Sequence, residues 1–144
     1  MTHYISEFIN VNAIGAVVVA LIYITLCSLF KEPNRQKFNA IIMAGAGAAY
    51  FSSGLGVWEL VFCSVITFLA YKGLTRYYCI GIAWVLHTCW DVIHHLYADP
   101  IIPFVPTSSA ECAVCDLVLA TWFFFNAPSV FDLFKKLKTK QHRQ

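Results

Sequence analysis

The sequence predicts an all-α fold, a polytopic membrane helix bundle of about five transmembrane helices with the N-terminus outside, the C-terminus cytoplasmic and a short C-terminal amphipathic helix. Three observations carry this expectation. The 144 residues are 59% hydrophobic and 12% charged, whereas soluble domains run at about 45–50% apolar and about 25% charged. Apolar runs of near-span length recur five times, separated by polar, glycine- or proline-containing stretches. All ten Lys and Arg residues are confined to three clusters that alternate with connections lacking any. The expected location is the cell membrane, crossed several times (the inner membrane in a bacterium), with residues 1–144 forming one transmembrane domain.

The first span, 11–30, is stopped by Lys31-Glu32-Pro33-Asn34-Arg35-Gln36-Lys37. It is read as retained rather than as a secretory signal, because residues 1–12 carry Glu7 and no Lys or Arg. The second span, 38–53, repeats Ala40, Ala44 and Ala48 at every fourth position with Gly45 and Gly47 among them. Such a face permits close helix packing and is the candidate surface for a homo-oligomer. Gly54-Leu55-Gly56 reads as a turn into the third span, 57–71. Both spans are short, so one kinked or re-entrant segment over 38–71 is the other reading. The fourth span is 77–97 and the fifth 109–127. In 129–138, Ser129 is an N-cap for a helix with Val130, Phe131, Leu133, Phe134 and Leu137 apolar and the lysines polar. This amphipathic helix is expected on the inner membrane surface, anchored to anionic lipid, with no nucleic-acid partner.

The basic clusters are Lys31, Arg35 and Lys37; Lys72 and Arg76; and Lys135, Lys136, Lys138, Lys140 and Arg143. Five spans place all three on one side, as the positive-inside rule requires; four would place Lys72 and Arg76 outside.

The chemistry is concentrated in His87-x-x-x-Asp91-x-x-His94-His95. Helical spacing puts His87, Asp91 and His94 on one stripe, with His95 at its edge. If the fifth span packs antiparallel to the fourth, Glu111, Cys112, Cys115 and Asp116 come to the same layer, and Glu59 of the third span reaches it. No Lys or Arg is at hand to compensate these carboxylates, which leaves protonated His, a shared proton or a cation. Imidazole and carboxylate ligands suit zinc, iron or manganese. His87, Asp91 and His94 are the expected metal ligands. Glu111 or Asp116 completes the shell or acts as general base, and His95 is the third candidate catalytic residue or supports a ligand from behind. Cys112-Ala-Val-Cys115 offers thiol redox chemistry without the second cysteine pair that usually accompanies it. The loop 98–106, apolar and holding three prolines, reads as a lid over the cluster or as an interfacial loop. Trp84, Trp90 and Tyr97 fit span packing and the interfacial belt, and are assigned no chemistry.

The stretch from His87 to Pro100, followed by Ser109-Ala-Glu111-Cys112-Ala-Val-Cys115-Asp116, resembles a family of small bacterial and fungal integral membrane proteins catalogued as a domain of unknown function. The resemblance implies multi-pass membrane location and no particular activity. The His and Asp arrangement is also similar to that of membrane metallohydrolases of the alkaline ceramidase type. The chain departs from these in having about five spans rather than seven and in lacking their distant paired-histidine motif. Two functions are therefore expected to compete. One is a metal-dependent membrane enzyme, hydrolase or oxidase, acting on a lipidic or amphiphilic substrate. The other is a proton- or ion-coupled transporter or relay. The residues before His87 on the fourth span, from Cys79 to Leu86, include no Asp, Glu, Lys, Arg or His. That makes the polar group a one-sided pocket and favours the enzyme.

Overall fold

Asn12 starts the first helix by accepting a hydrogen bond from the Gly15 N–H at 2.8 Å, which satisfies one of the donors left orphaned in a first turn. In the computed structural model, which describes residues 12–51, 54–98, 101–102 and 104–141, α1 (Ala13–Cys27) then runs to Ser28, whose hydroxyl turns back on the Ile24 carbonyl at 2.7 Å. Pro33 precedes α2 (Asn34–Ala48), where its missing N–H costs nothing. Gly54 and Gly56 have φ of 109° and 62° and lead into α3 (Val57–Gly73); this backbone is open to glycine and costly for other residues. α4 (Tyr77–Tyr97) is followed by α5 (Ser108–Phe124) and α6 (Val130–Gln141). α5 ends where Asn126 and Ala127 turn left-handed, at φ 60° and 42°, ahead of Pro128.

The broadest interface joins α4 to α5; α3 packs on both α2 and α4, and α1 on α5. Met43, Ile66, Ile80 and Phe123 are wholly buried between them. Hydrogen bonds tie the connections at one end of the bundle. Gln36 Nε2 donates to the Gly73 carbonyl (2.9 Å), the Tyr77 hydroxyl to Glu32 (2.6 Å), and the Val130 N–H to Ser28 Oγ (3.1 Å). Buried Arg35 closes this end with an ion pair to Glu32 at 2.6 Å. At the other end the Asn12 N–H reaches Glu111 at 3.3 Å.

The expectation of an all-α fold stands, but that of a polytopic membrane bundle is overturned. Among the described residues no helix is long and apolar enough to cross a membrane. The multi-pass location in the cell membrane and the outside-to-cytoplasm topology fall with it. α1 and α2 have 15 residues, and α3 and α5 have 17, which gives about 22–26 Å against a hydrocarbon layer of about 30 Å. Only α4, with 21, has the length, and it carries His87, Asp91, His94 and His95. Hydropathy counted apolar residues that do not extend a helix. Leu29 and Phe30 lie beyond the end of α1, α2 spends its first turn on Asn34, Arg35, Gln36 and Lys37, and the fifth run breaks at Asn126. The regions 38–53 and 57–71 form two helices, α2 and α3. The reading of residues 1–11 as lacking a signal lies outside the described residues.

Gly47 and Ala40, two of the small residues of α2, serve packing within the chain, while Gly45 and Ala48 stay exposed. A Cβ on Gly47 would stand 2.6 Å from Ile66, and Ala40 is buried. The outward faces are strongly apolar, as Ile14 and Val19 on α1 and Trp58 and Phe68 on α3 show.

Candidate metal centre

His87 and Asp91, one turn apart on α4, share a face directed at α5, where Asp116 meets them. His87 Nδ1 lies 2.7 Å from Asp116 Oδ2 and 3.6 Å from Asp91 Oδ1. All three are buried, at 6%, 0% and 4% exposure for His87, Asp91 and Asp116. One ligand atom from each lies within 4.8 Å of the other two, so the group could hold a metal ion. With metal–ligand bonds of about 2.1 Å, neighbouring ligand atoms sit about 3.0 Å apart in an octahedron and about 3.4 Å apart in a tetrahedron. The two observed separations bracket these edges, and small side-chain adjustments would seat a cation.

Charge points the same way. Among the described residues neither Asp91 nor Asp116 pairs with Lys or Arg, and uncompensated buried carboxylates are costly. Without a cation, protons must compensate. Burial lowers the His87 pKa, but its hydrogen bonds and charge interactions with Asp116 and Asp91 outweigh that and raise it above the ordinary imidazole value. Burial raises Asp116, only partly opposed by His87. Asp91 Oδ2 and His87 Nε2 are buried with no hydrogen-bond partner among the described residues.

Tyr50, just past the end of α2, donates its hydroxyl to Asp91 Oδ1. Burial and the neighbouring Asp91 push its ionisation far up, so it stays a donor. Phe62 of α3 stacks on Trp90 at 4.5 Å and meets Tyr50 edge-on at 6.0 Å, while Trp84 stands 5.6 Å from His87. These rings wall the cluster from solvent and lower its dielectric, which strengthens every charge interaction inside.

Of the residues expected from sequence, His87, Asp91 and Asp116 come together. His94 is fully buried beside them, its ring 4.5 Å from Tyr50 and 5.8 Å from Trp90, but it is not one of the triplet. His95 is half-buried. Glu111 accepts from Thr107 Oγ1 at 2.9 Å as well as from the Asn12 N–H, fastening the start of α5 to that of α1. Glu59 is buried and accepts from the Leu55 N–H at 2.8 Å. Cys112 and Cys115 are half-buried free thiols. Burial and the nearby aspartates push them up to about 12 and about 11, which holds them in the unreactive thiol form. In the loop 98–106, Asp99, Pro100 and Pro103 lie outside the described residues. The Ile101 and Ile102 N–H groups donate to Ser109 and Ser108, and Phe104 is exposed. Sequence reasoning missed Tyr50. Its only signal was a phenol closing a helix otherwise rich in Ala and Gly.

The family model of DUF6010, a family of unknown function, matches residues 11–129. That span takes in α1 to α5, the whole triplet and Tyr50. No curated protein and no solved structure matches the chain.

Proposed function

The chain belongs to the DUF6010 family, and from that premise we propose that it is a metal-dependent enzyme whose centre is held by His87, Asp91 and Asp116. The observation that carries the reading is the convergence of one imidazole and two carboxylates, all buried and, among the described residues, without a Lys or Arg partner. A neutral imidazole and two carboxylates balance one divalent cation, and an oxygen-rich set with one nitrogen suits manganese, iron or zinc. A cation bound there would supply Lewis-acid activation of a water molecule or of a substrate oxygen. The chain's own residues do the rest. Tyr50 fixes the orientation of the Asp91 carboxylate through its hydrogen bond to Oδ1. Asp116 sets the His87 ring orientation, and the Trp84, Phe62 and Trp90 rings exclude bulk water. The apolar walls favour a lipidic or amphiphilic substrate over a strongly hydrated one.

The test is elemental mass spectrometry of the purified full chain beside an Asp91→Asn/Asp116→Asn variant of matching helicity. About one equivalent of manganese, iron or zinc, lost in the variant, is the expected result. Absence of bound metal in both, after incubation with each cation, overturns the proposal. A proton relay is the second reading, favoured by two hydrogen bonds, Tyr50 to Asp91 and His87 with Asp116, brought side by side where His87 and Asp91 stand 3.6 Å apart, and it is what a metal-free result would leave.

A further inference from the structure

α6 is the one helix with no extensive contact to another among the described residues. Its start is nonetheless fixed. The Val130 N–H donates to Ser28 Oγ at 3.1 Å, Ser129 Oγ to the Ser28 carbonyl at 3.4 Å, and Trp122 Nε1 to the Pro128 carbonyl at 3.1 Å. The helix is therefore pinned to one end of the bundle with its length in the open. At about 100° per residue, Val130, Phe131, Leu133, Phe134 and Leu137 lie within an arc of about 160°, which stays apolar until Lys138 and Gln141 enter it in the last turn. Val130, at its start, packs against the core, and the rest of the face is bare, with Phe134 67% and Leu137 65% exposed. Lys135 and Lys136 border the arc on either side, so their aliphatic stems can lie along an apolar surface while their ammonium groups reach past it.

The end of the bundle that holds α6 is basic. Lys31, Lys37, Lys72 and Arg76 are exposed there, with Leu29 and Phe30 bare beside Ser28. Its acids are Glu32, which is paired with Arg35, and Asp132. We propose that this end docks on an anionic phospholipid surface, with α6 lying in the headgroup layer, its apolar arc inward and its lysines on lipid phosphates. Such a helix lies on a bilayer and does not cross it. The combination selects this occupant. Polyanions such as nucleic acid use the charge and have no use for the apolar arc, whereas neutral lipid uses the arc and ignores the charge. The inference is independent of the metal centre.

The experiment is flotation of the full chain with phosphatidylcholine vesicles, with and without phosphatidylglycerol. Two variants run beside it, Lys135→Glu/Lys136→Glu/Lys138→Glu and Phe134→Ser/Leu137→Ser. All five side chains are exposed, so the fold should hold, and far-UV circular dichroism checks this. A Phe134→Trp chain reports insertion by fluorescence, read as the difference from the unsubstituted chain. The expected result is capture by phosphatidylglycerol vesicles that weakens at high salt, falls by roughly tenfold or more in each variant, and shifts the emission of the introduced indole to the blue. Equal capture by phosphatidylcholine alone, undiminished capture of either variant, or no capture at all overturns the proposal.

Discussion

Asp91 is wholly buried, accepts one hydrogen bond from Tyr50, faces His87 and has no Lys or Arg against it among the described residues. Its position makes Tyr50 the most informative residue to change. Tyr50→Phe keeps the ring that packs on Phe62 and His94 and removes only the hydroxyl. The Asp91 oxygen it served is then buried without a donor, at a cost of about 1–3 kcal/mol. Because the same hydroxyl would orient a proposed metal ligand, affinity for manganese or zinc should fall by about 10- to 100-fold. Thermal unfolding and metal titration of the variant check both, and unchanged affinity would show that Tyr50 does not orient Asp91. His87 and Asp91 were legible as partners because one helix fixes their spacing. Asp116 was legible as a candidate, but its place in the triplet was set by the register of α5 against α4. Tyr50 was not legible, because α3 and most of α4 separate it from Asp91 along the chain, and only tertiary packing brings its hydroxyl to the carboxylate.

The helices show the same division between local and global cause. Their existence and order were readable, since apolar runs interrupted by Pro33, Gly54 and Gly56 leave few alternatives. Their ends were not, because composition does not say where hydrogen bonding along the axis stops, and the membrane reading failed on that difference. The glycines of α2 are a case in point, identical in sequence terms and opposite in environment. A Cβ on Gly47 would lie 2.6 Å and 2.9 Å from Ile66 atoms of α3, while one on Gly45 meets nothing within 4 Å. Gly47→Ala should therefore destabilise the protein by about 1–3 kcal/mol through overpacking. Gly45→Ala should stabilise it by about 0.5–1 kcal/mol through helix propensity. Chemical denaturation of the two single variants tests this directly, and shifts of the same sign would mean that α2 and α3 do not pack as described.

For the molecule as a whole, the centre ties folding to protons. His87 is raised above its ordinary value of about 6.5, so the stability it contributes is fully present below that pH and is lost as pH climbs through the raised value. Asp116 is raised from an ordinary value of about 3.9, so keeping its charge in the fold becomes a growing penalty as pH rises. Both effects have one sign, since the folded chain binds more protons than the unfolded one. Metal-free protein should accordingly lose stability from about pH 4 to about pH 10. A divalent cation needs its ligands deprotonated, so the stabilisation it adds should grow over the same interval. Calorimetry across that range, with chelator and with manganese or zinc, measures the two slopes; a flat profile for the chelated protein would remove protons as the substitute for metal.

All three proposed ligands belong to α4 and α5, and His87 and Asp116 are only 29 residues apart in the chain. The helical hairpin that carries them can thus close the site before α1, α2 and α3 have docked. A cation captured at that moment would act as a cross-link across a short loop, removing chain entropy from the unfolded ensemble much as a disulfide does. Tyr50, arriving with α2, would then be a late addition that locks a centre already assembled. Metal supply during synthesis would in this way govern how fast the chain commits to its fold, as well as what the finished protein can do.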